Sequence, residues 1–296
     1  MTDTAVLAET FDRDAAGRTT AELWSVIDAH PDSVVVLARA GAVAAIDSLA
    51  LLPVASAPAG ERCYLGRALN IAGLPADAPI ELRLIEADDV VSGAQWLGLR
   101  DVIHAIPGDQ VELAATAIAL ANWRASHRYC PKCGSALGVA QAGWALACGS
   151  CGSQVFPRTD PAVIVRVTDE QDRLLLGSNA AWEANRYSLL AGFVEPGESA
   201  EAAVVREIFE ESGVRVTEPT FLASQAWPLP ASLMLGFAAR AVSAELIPDG
   251  EEILDLRWFD RESILTDEIL LPRRGSLARA IVEDWFGGPL PDAHAH

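Results

Sequence analysis

The chain has 296 residues, 51% of them apolar, and a formal net charge of −19. That length suits two domains with a sizeable core, and so acidic a balance excludes long-range capture of nucleic acid, leaving an anionic substrate in need of a local positive patch or a bound metal. The acidic first residues lack the basic n-region of a signal peptide and no uncharged apolar run is long enough to span a bilayer, so a soluble cytoplasmic protein with no membrane partner is expected.

Residues 1–127 are expected to form a mixed α/β domain. The β-branched run SVVVLA at 33–38 and the alternating IELRLIEA at 80–87 predict strands, with a loop over 53–60 between them. Residues 110–127 predict a long helix with Val111, Leu113, Ala114, Ile118 and Trp123 on its apolar side. No catalytic constellation is visible here: His30, His104 and His127 lie apart, and Arg100 suits either the surface or a phosphate contact.

Cys130, Cys133, Cys148 and Cys151 follow, spaced C-x2-C, fourteen residues, C-x2-C. Two such knuckles, with Gly134, Gly149 and Gly152 permitting tight turns, predict a zinc ribbon over 128–157. Disulfides are disfavoured in a chain without an export signal. Four thiolates leave no open position, so the zinc is expected to be structural. Arg124, His127, Arg128 and Lys132 form a basic cluster at the ribbon's entrance, suited to bracing two domains or to nucleic acid. Cys63 is left over.

Residues 158–296 read as a third domain. Strands are expected at 162–168 and 173–177, joined by DEQD as a hairpin, and at 220–226, 232–241 and 256–259, with a last helix at 276–286. Residues 187–191 lead into GFVEPGESAEAAVVREIFEESG at 192–213. Gly192–Gly197 is a loop, Ser199 suits a helix N-cap and Gly213 the position beyond the last turn. Val204, Val205, Ile208 and Phe209 form the apolar stripe of the intervening helix. Glu207, Glu210 and Glu211 occupy the rest, and Glu207 and Glu211 are i,i+4 neighbours. Like charges so placed destabilise a helix by roughly 0.2–0.5 kcal/mol per pair, and the helix C-terminus disfavours anions further. A hard divalent cation such as Mg²⁺ or Mn²⁺ reverses that sign; a solvated acidic face is the plainer alternative.

The stretch resembles the Nudix box: Gly192, Glu198, Arg206, Glu207, Ile208, Glu210, Glu211, Gly213 and Val214 fill every specified position. The resemblance implies an α/β/α sandwich, hydrolysis of a nucleoside diphosphate linked to another group, metals on the helix glutamates, and Arg206 pairing with a box carboxylate to hold the loop on the helix. Beyond the box, Ser224-Gln225-Ala226-Trp227-Pro228-Leu229-Pro230-Ala231-Ser232 resembles the SQPWPFPxS motif of the NADH pyrophosphatase family, whose members also carry a four-cysteine ribbon. Ala226 and Leu229 depart from that motif's Pro and Phe. The likeness implies that Glu252 and the Ala191 carbonyl join Glu207 and Glu211 at the metals. It places Phe156 and Phe193 where the family stacks an aromatic ring on a base, and Ala278 at a substrate contact, although core packing suits all three as well. Gly143 stands where the family has a substrate-contacting glutamate. The expected activity is hydrolysis of NADH or NAD⁺ to NMN(H) and AMP by a homodimer, with the 5′ NAD cap of RNA offering the same bond, and Glu210 or Glu211 as base. ADP-ribose, and a nucleotide-binding regulator without turnover, are the alternatives.

Overall fold

The computed structural model describes residues 10–39, 41–86, 93–265 and 269–291, and these divide into two compact units. One holds Asp160–Ala226 and the described residues from Ser232 onward. The other holds the described residues up to Thr159 together with the short segment Trp227–Ala231.

The latter unit is built on an eight-stranded sheet, carried mainly by β1 (Val34–Arg39), β2 (Ala42–Ile46), β3 (Glu61–Ala68), β4 (Pro79–Leu84) and β5 (Gln95–Gly98). β4 runs parallel to β1 and antiparallel to β3. The alternation in β4 marks a strand but not a solvated polar face, because Glu81 and Arg83 are both buried. The Glu81 carboxylate accepts from Arg62 at 2.8 and 2.6 Å and from Arg83 at 2.6 Å, so the charges are paired where they are desolvated. Residue 87, within the strand expected at 80–87, lies outside the described residues.

Helices α1 (Leu23–Ala29), α2 (Leu99–Ala105) and α3 (Gly108–Ser126) complete this part. α3 buries Leu113, Ala114, Ile118 and Trp123 as its pattern predicts, but Val111 is only half-buried. The ribbon adds β6 (Leu137–Ala140), β7 (Ala145–Cys148) and β8 (Gln154–Val155), all antiparallel. Leu146 of β7 joins the core of the eight-stranded sheet, and Trp144 Nε1 donates to the Tyr64 carbonyl at 2.6 Å. Gly143 sits at φ +97°, and a Cβ there would lie 2.4 Å from Cys63 Sγ. The backbone passes too close to the buried thiol to admit a side chain, so the glutamate contact of the family's pattern is absent here.

The other unit is a mixed sheet of β9 (Asp160–Thr168), β10 (Leu174–Asn179), β11 (Leu190–Phe193), β12 (Val216–Trp227), β13 (Ser232–Ala241) and β14 (Ile253–Phe259), in the order β12-β13-β9-β10-β14 with β11 on β9. β9 and β10 meet as the expected hairpin, but they share only the Thr168–Leu174 pair. The length of β9 is used instead by β13, parallel, and β11, antiparallel. Successive side chains of β9 point to opposite faces. Val163, Val165 and Val167 pack with Ala203, Val204 and Ile208 of α4 (Ala200–Ser212), whereas Ile164 packs with Leu277, Ile281 and Val282 of α5 (Leu277–Phe286). The result is the α/β/α sandwich. No helix among the described residues is long and apolar enough to cross a membrane.

Candidate active site

α4 begins and ends as its sequence dictates. Ser199 Oγ accepts from the Ala202 amide at 3.2 Å, and Gly213 takes the left-handed conformation at φ 70°. Its buried stripe is narrower than the four residues expected: Val205 and Phe209 are 41% and 46% exposed. Ala203, Val204, Ile208 and Glu211 face the sheet instead, and the Arg215 guanidinium covers the Phe209 ring at 4.8 Å from its centroid. Burying Val204 and Ile208 contributes roughly 1.5–3 kcal/mol each. That outweighs the repulsion of roughly 0.2–0.5 kcal/mol between its like-charged glutamates.

The glycine loop is fastened by Arg206. Its guanidinium donates to both oxygens of Glu198 at 2.9 and 2.8 Å, to Glu207 at 2.8 Å, to Glu210 at 3.0 Å and to the Phe193 carbonyl at 2.9 Å. This pairing holds the Glu198 carboxyl below its ordinary range. Gly192 has a separate reason to lack a side chain, since a Cβ there would lie 2.0 Å from the Glu207 carboxyl carbon. The strand thus runs directly against a carboxylate cradle.

Glu211 lies at the back of that cradle, buried, with one carboxylate oxygen lacking any hydrogen-bond partner. Burial pushes its carboxyl up to about 8; the Glu207, Glu252 and Asp249 charges add to the rise, and a backbone hydrogen bond from Ala191 opposes it. Burial also raises Glu207, against the pull of Arg206. Glu252 is exposed on the turn before β14, where it accepts from Asn179 at 3.1 Å. Asp249 Oδ1 shapes that turn by accepting from the amides of Glu251, Glu252 and Ile253 at 2.8 to 2.9 Å. An orphaned buried oxygen, a cradle that excludes a Cβ and an all-oxygen donor set fit a hard divalent cation. Glu207 accepts from Arg206 at 2.8 Å and Glu252 from Asn179 at 3.1 Å. No motif or spacing marks Asn179 in advance, although the Asp249-Gly250 pair is a turn signal.

In the ribbon, Cys130, Cys133, Cys148 and Cys151 place their sulfurs within 4.8 Å of one another. Two of the separations are 3.6 and 3.5 Å. A tetrahedron of zinc–sulfur bonds of about 2.3 Å has edges of about 3.8 Å, whereas a disulfide needs about 2.0 Å. The four free thiols fit zinc. The two knuckles match bond for bond: Gly134 donates to the Cys130 carbonyl at 2.9 Å, and Gly152 to that of Cys148 at 3.0 Å.

The remaining candidates are spread over both units. Phe193 and Phe156 are 55% and 52% exposed, so neither is a core residue. Ala278 is buried in the α5 core. Gln225 is already engaged, donating to the Gly275 carbonyl and accepting from the Leu277 amide, each at 2.7 Å. Ala226 is exposed at the end of β12 and Ser232 is buried at the start of β13. Trp227, Pro228, Leu229, Pro230 and Ala231 belong to the unit of the eight-stranded sheet, as does Arg100, exposed on α2. A cavity of about 560 Å³ lies away from the box, against Arg166, Arg240 and Asp284. Arg166 and Asp284 pair there at 2.6 Å, and the cavity has no part in the glutamate cradle.

The family model for the NUDIX domain matches residues 158–281, and that for the NADH pyrophosphatase zinc ribbon domain matches residues 125–156. The chain is 41% identical over 205 residues to a protein of Stutzerimonas stutzeri named NAD-capped RNA hydrolase NudC, which takes in 69% of this chain and 72% of that one. Proteins of the same name are similar in Pseudomonas syringae, 37% over 219 residues covering 72% and 76%, and in Mycobacterium tuberculosis, 36% over 255 residues covering 77% and 81%.

Proposed function

The chain belongs to the NADH pyrophosphatase family of zinc-ribbon Nudix hydrolases, and from that premise we propose that it cleaves the pyrophosphate of NADH and NAD⁺, giving NMN(H) and AMP. The same bond at the 5′ end of NAD-capped RNA is a second substrate, in keeping with the name its relatives carry. The observation that carries the reading is the unpartnered, buried Glu211 oxygen beside the cradle of Glu207 and Gly192.

Glu207, Glu211, Glu252 and the Ala191 carbonyl are the groups that would hold Mg²⁺ or Mn²⁺. A divalent ion bound there supplies positive charge to the phosphate oxygens and acidifies the attacking water. Glu210 or Glu211 takes the proton as the water oxygen joins phosphorus. The phosphorus–oxygen bond of the anhydride breaks, and the leaving phosphate departs with the electron pair. Arg206 and Glu198 keep the loop closed on α4, so these carboxylates stay in register during the reaction. Phe156, Phe193, the segment Gln225–Ser232, Arg100 and Ala278 are proposed to hold the nucleotide. Zinc on the four cysteines maintains the ribbon. A homodimer is proposed on the family resemblance, and the cytoplasm is proposed as its compartment on the composition of the chain.

Mass spectrometry of products formed in ¹⁸O-water from NADH tests the reaction. The proposal requires AMP and NMNH with the label on one phosphate. Release of inorganic phosphate, or intact NADH in saturating Mn²⁺, would refute it.

A further inference from the structure

We propose that Asn122 of α3 is a positioning residue for the nucleotide-binding segment, and that the N-terminal domain serves the reaction by fixing that segment in one shape. The inference rests on the reading of Gln225–Ser232 as a substrate-binding segment. Pro228–Ala231 forms the tight turn between β12 and β13, and with Trp227 it is counted with the unit of the eight-stranded sheet. Trp227 and Leu229 pack against the core of that sheet, and Pro228 is buried. The Asn122 Nδ2 donates to the Pro228 carbonyl at 3.1 Å, while its Oδ1 accepts from the Gly41 amide at 2.7 Å.

Both ends of the amide are thereby used, and in opposite senses. Turning it over would set its NH₂ against the Gly41 N–H and its oxygen against the Pro228 oxygen, so its orientation is fixed. The turn has few hydrogen bonds of its own. Pro228 and Pro230 have no N–H, and within the segment Leu229 N–H donates to the Trp227 carbonyl at 2.6 Å. Proline fixes φ at Pro228 but leaves ψ free, and ψ sets the plane of the Pro228–Leu229 peptide and hence the setting of Leu229. Asn122 holds that plane from outside. The tie matters more in this chain because Ala226 lacks the ring that would stiffen the entry to the turn.

Asn122→Asp keeps the acceptor for Gly41 but puts an oxygen against the Pro228 carbonyl; Asn122→Ala removes both bonds. The test is steady-state kinetics on NADH for both variants, for Trp227→Ala, and for Asn122→Asp combined with Trp227→Ala, with melting temperatures alongside. A neutral hydrogen bond of ordinary strength corresponds to a rise in KM of about 3- to 10-fold, with kcat nearly unchanged and Asn122→Asp melting close to the unaltered chain. In the Trp227→Ala background Asn122→Asp should add almost nothing, because the two act through one turn. Unchanged KM, a fall in kcat that tracks melting temperature, or fully multiplying effects in the double variant would overturn the proposal. An unaltered chain that leaves NADH intact would instead overturn the functional reading. Hydrogen exchange at the Leu229 amide then judges the tie itself: faster exchange in Asn122→Asp supports it, and equal exchange overturns it.

Discussion

Glu211 is held where a carboxylate is disfavoured, and its surroundings state the terms on which it stays. Glu211→Gln keeps the size and removes the charge, and should lower hydrolysis by about 10²–10⁴ while leaving the fold intact. Near-normal turnover in saturating Mn²⁺ would show that the charge is not needed. The same residue gives a pH test. Its carboxyl stands at about 8 in the fold against an ordinary 4.5. A raised carboxyl contributes stability that is fully present below the lower value and is lost as pH rises through the upper one. With divalent cations other than zinc withheld, the unaltered chain should therefore lose melting temperature relative to Glu211→Gln between about pH 4.5 and 8, and Mn²⁺ should restore it. Parallel melting curves would contradict this. The nine residues of the box are legible one by one, because chemistry and spacing define them. The burial of Glu211 is not legible, since it depends on strand β11 passing beside the helix, and the exposure of Val205 and Phe209 depends on which part of a wide apolar stripe the sheet selects.

At the scale of elements, Arg206 is what makes a loop and a helix one part. Arg206→Lys keeps the positive charge, but a single ammonium cannot reach Glu198, Glu207, Glu210 and the Phe193 carbonyl together. Hydrogen exchange over residues 193–198 should quicken and kcat fall by at least about tenfold, a loss of roughly 1.4 kcal/mol in barrier terms. Unchanged exchange would mean that the loop holds itself. The ribbon offers a second case. Cys148→Ser should release zinc and lower thermal stability, because the binding energy of a structural zinc is folding energy. Elemental analysis and melting check this, and a zinc-replete variant that melts normally would contradict it. The ribbon, α4 and α5 are legible because caps and ligand spacing are local. β2 and β3 escape notice in AVAAI and ERCYLGRA, where alanine, glycine and charges hide strands that only their neighbours in the sheet make stable.

For the whole molecule, a net charge of −19 governs how substrates arrive. Such a surface gives the body of an RNA little to hold, so kcat/KM for NAD-capped RNA should depend only weakly on salt. A steep fall between low and physiological ionic strength would point to a basic track that the charge balance conceals. The decisive comparison puts NADH, ADP-ribose and NAD-capped RNA side by side under one set of metal conditions, with products identified by mass. The account predicts cleavage of NADH to NMNH and AMP and of capped RNA to a 5′-monophosphate end, both faster than ADP-ribose. ADP-ribose as the best substrate, or no cleavage of any nicotinamide-bearing compound, would contradict it.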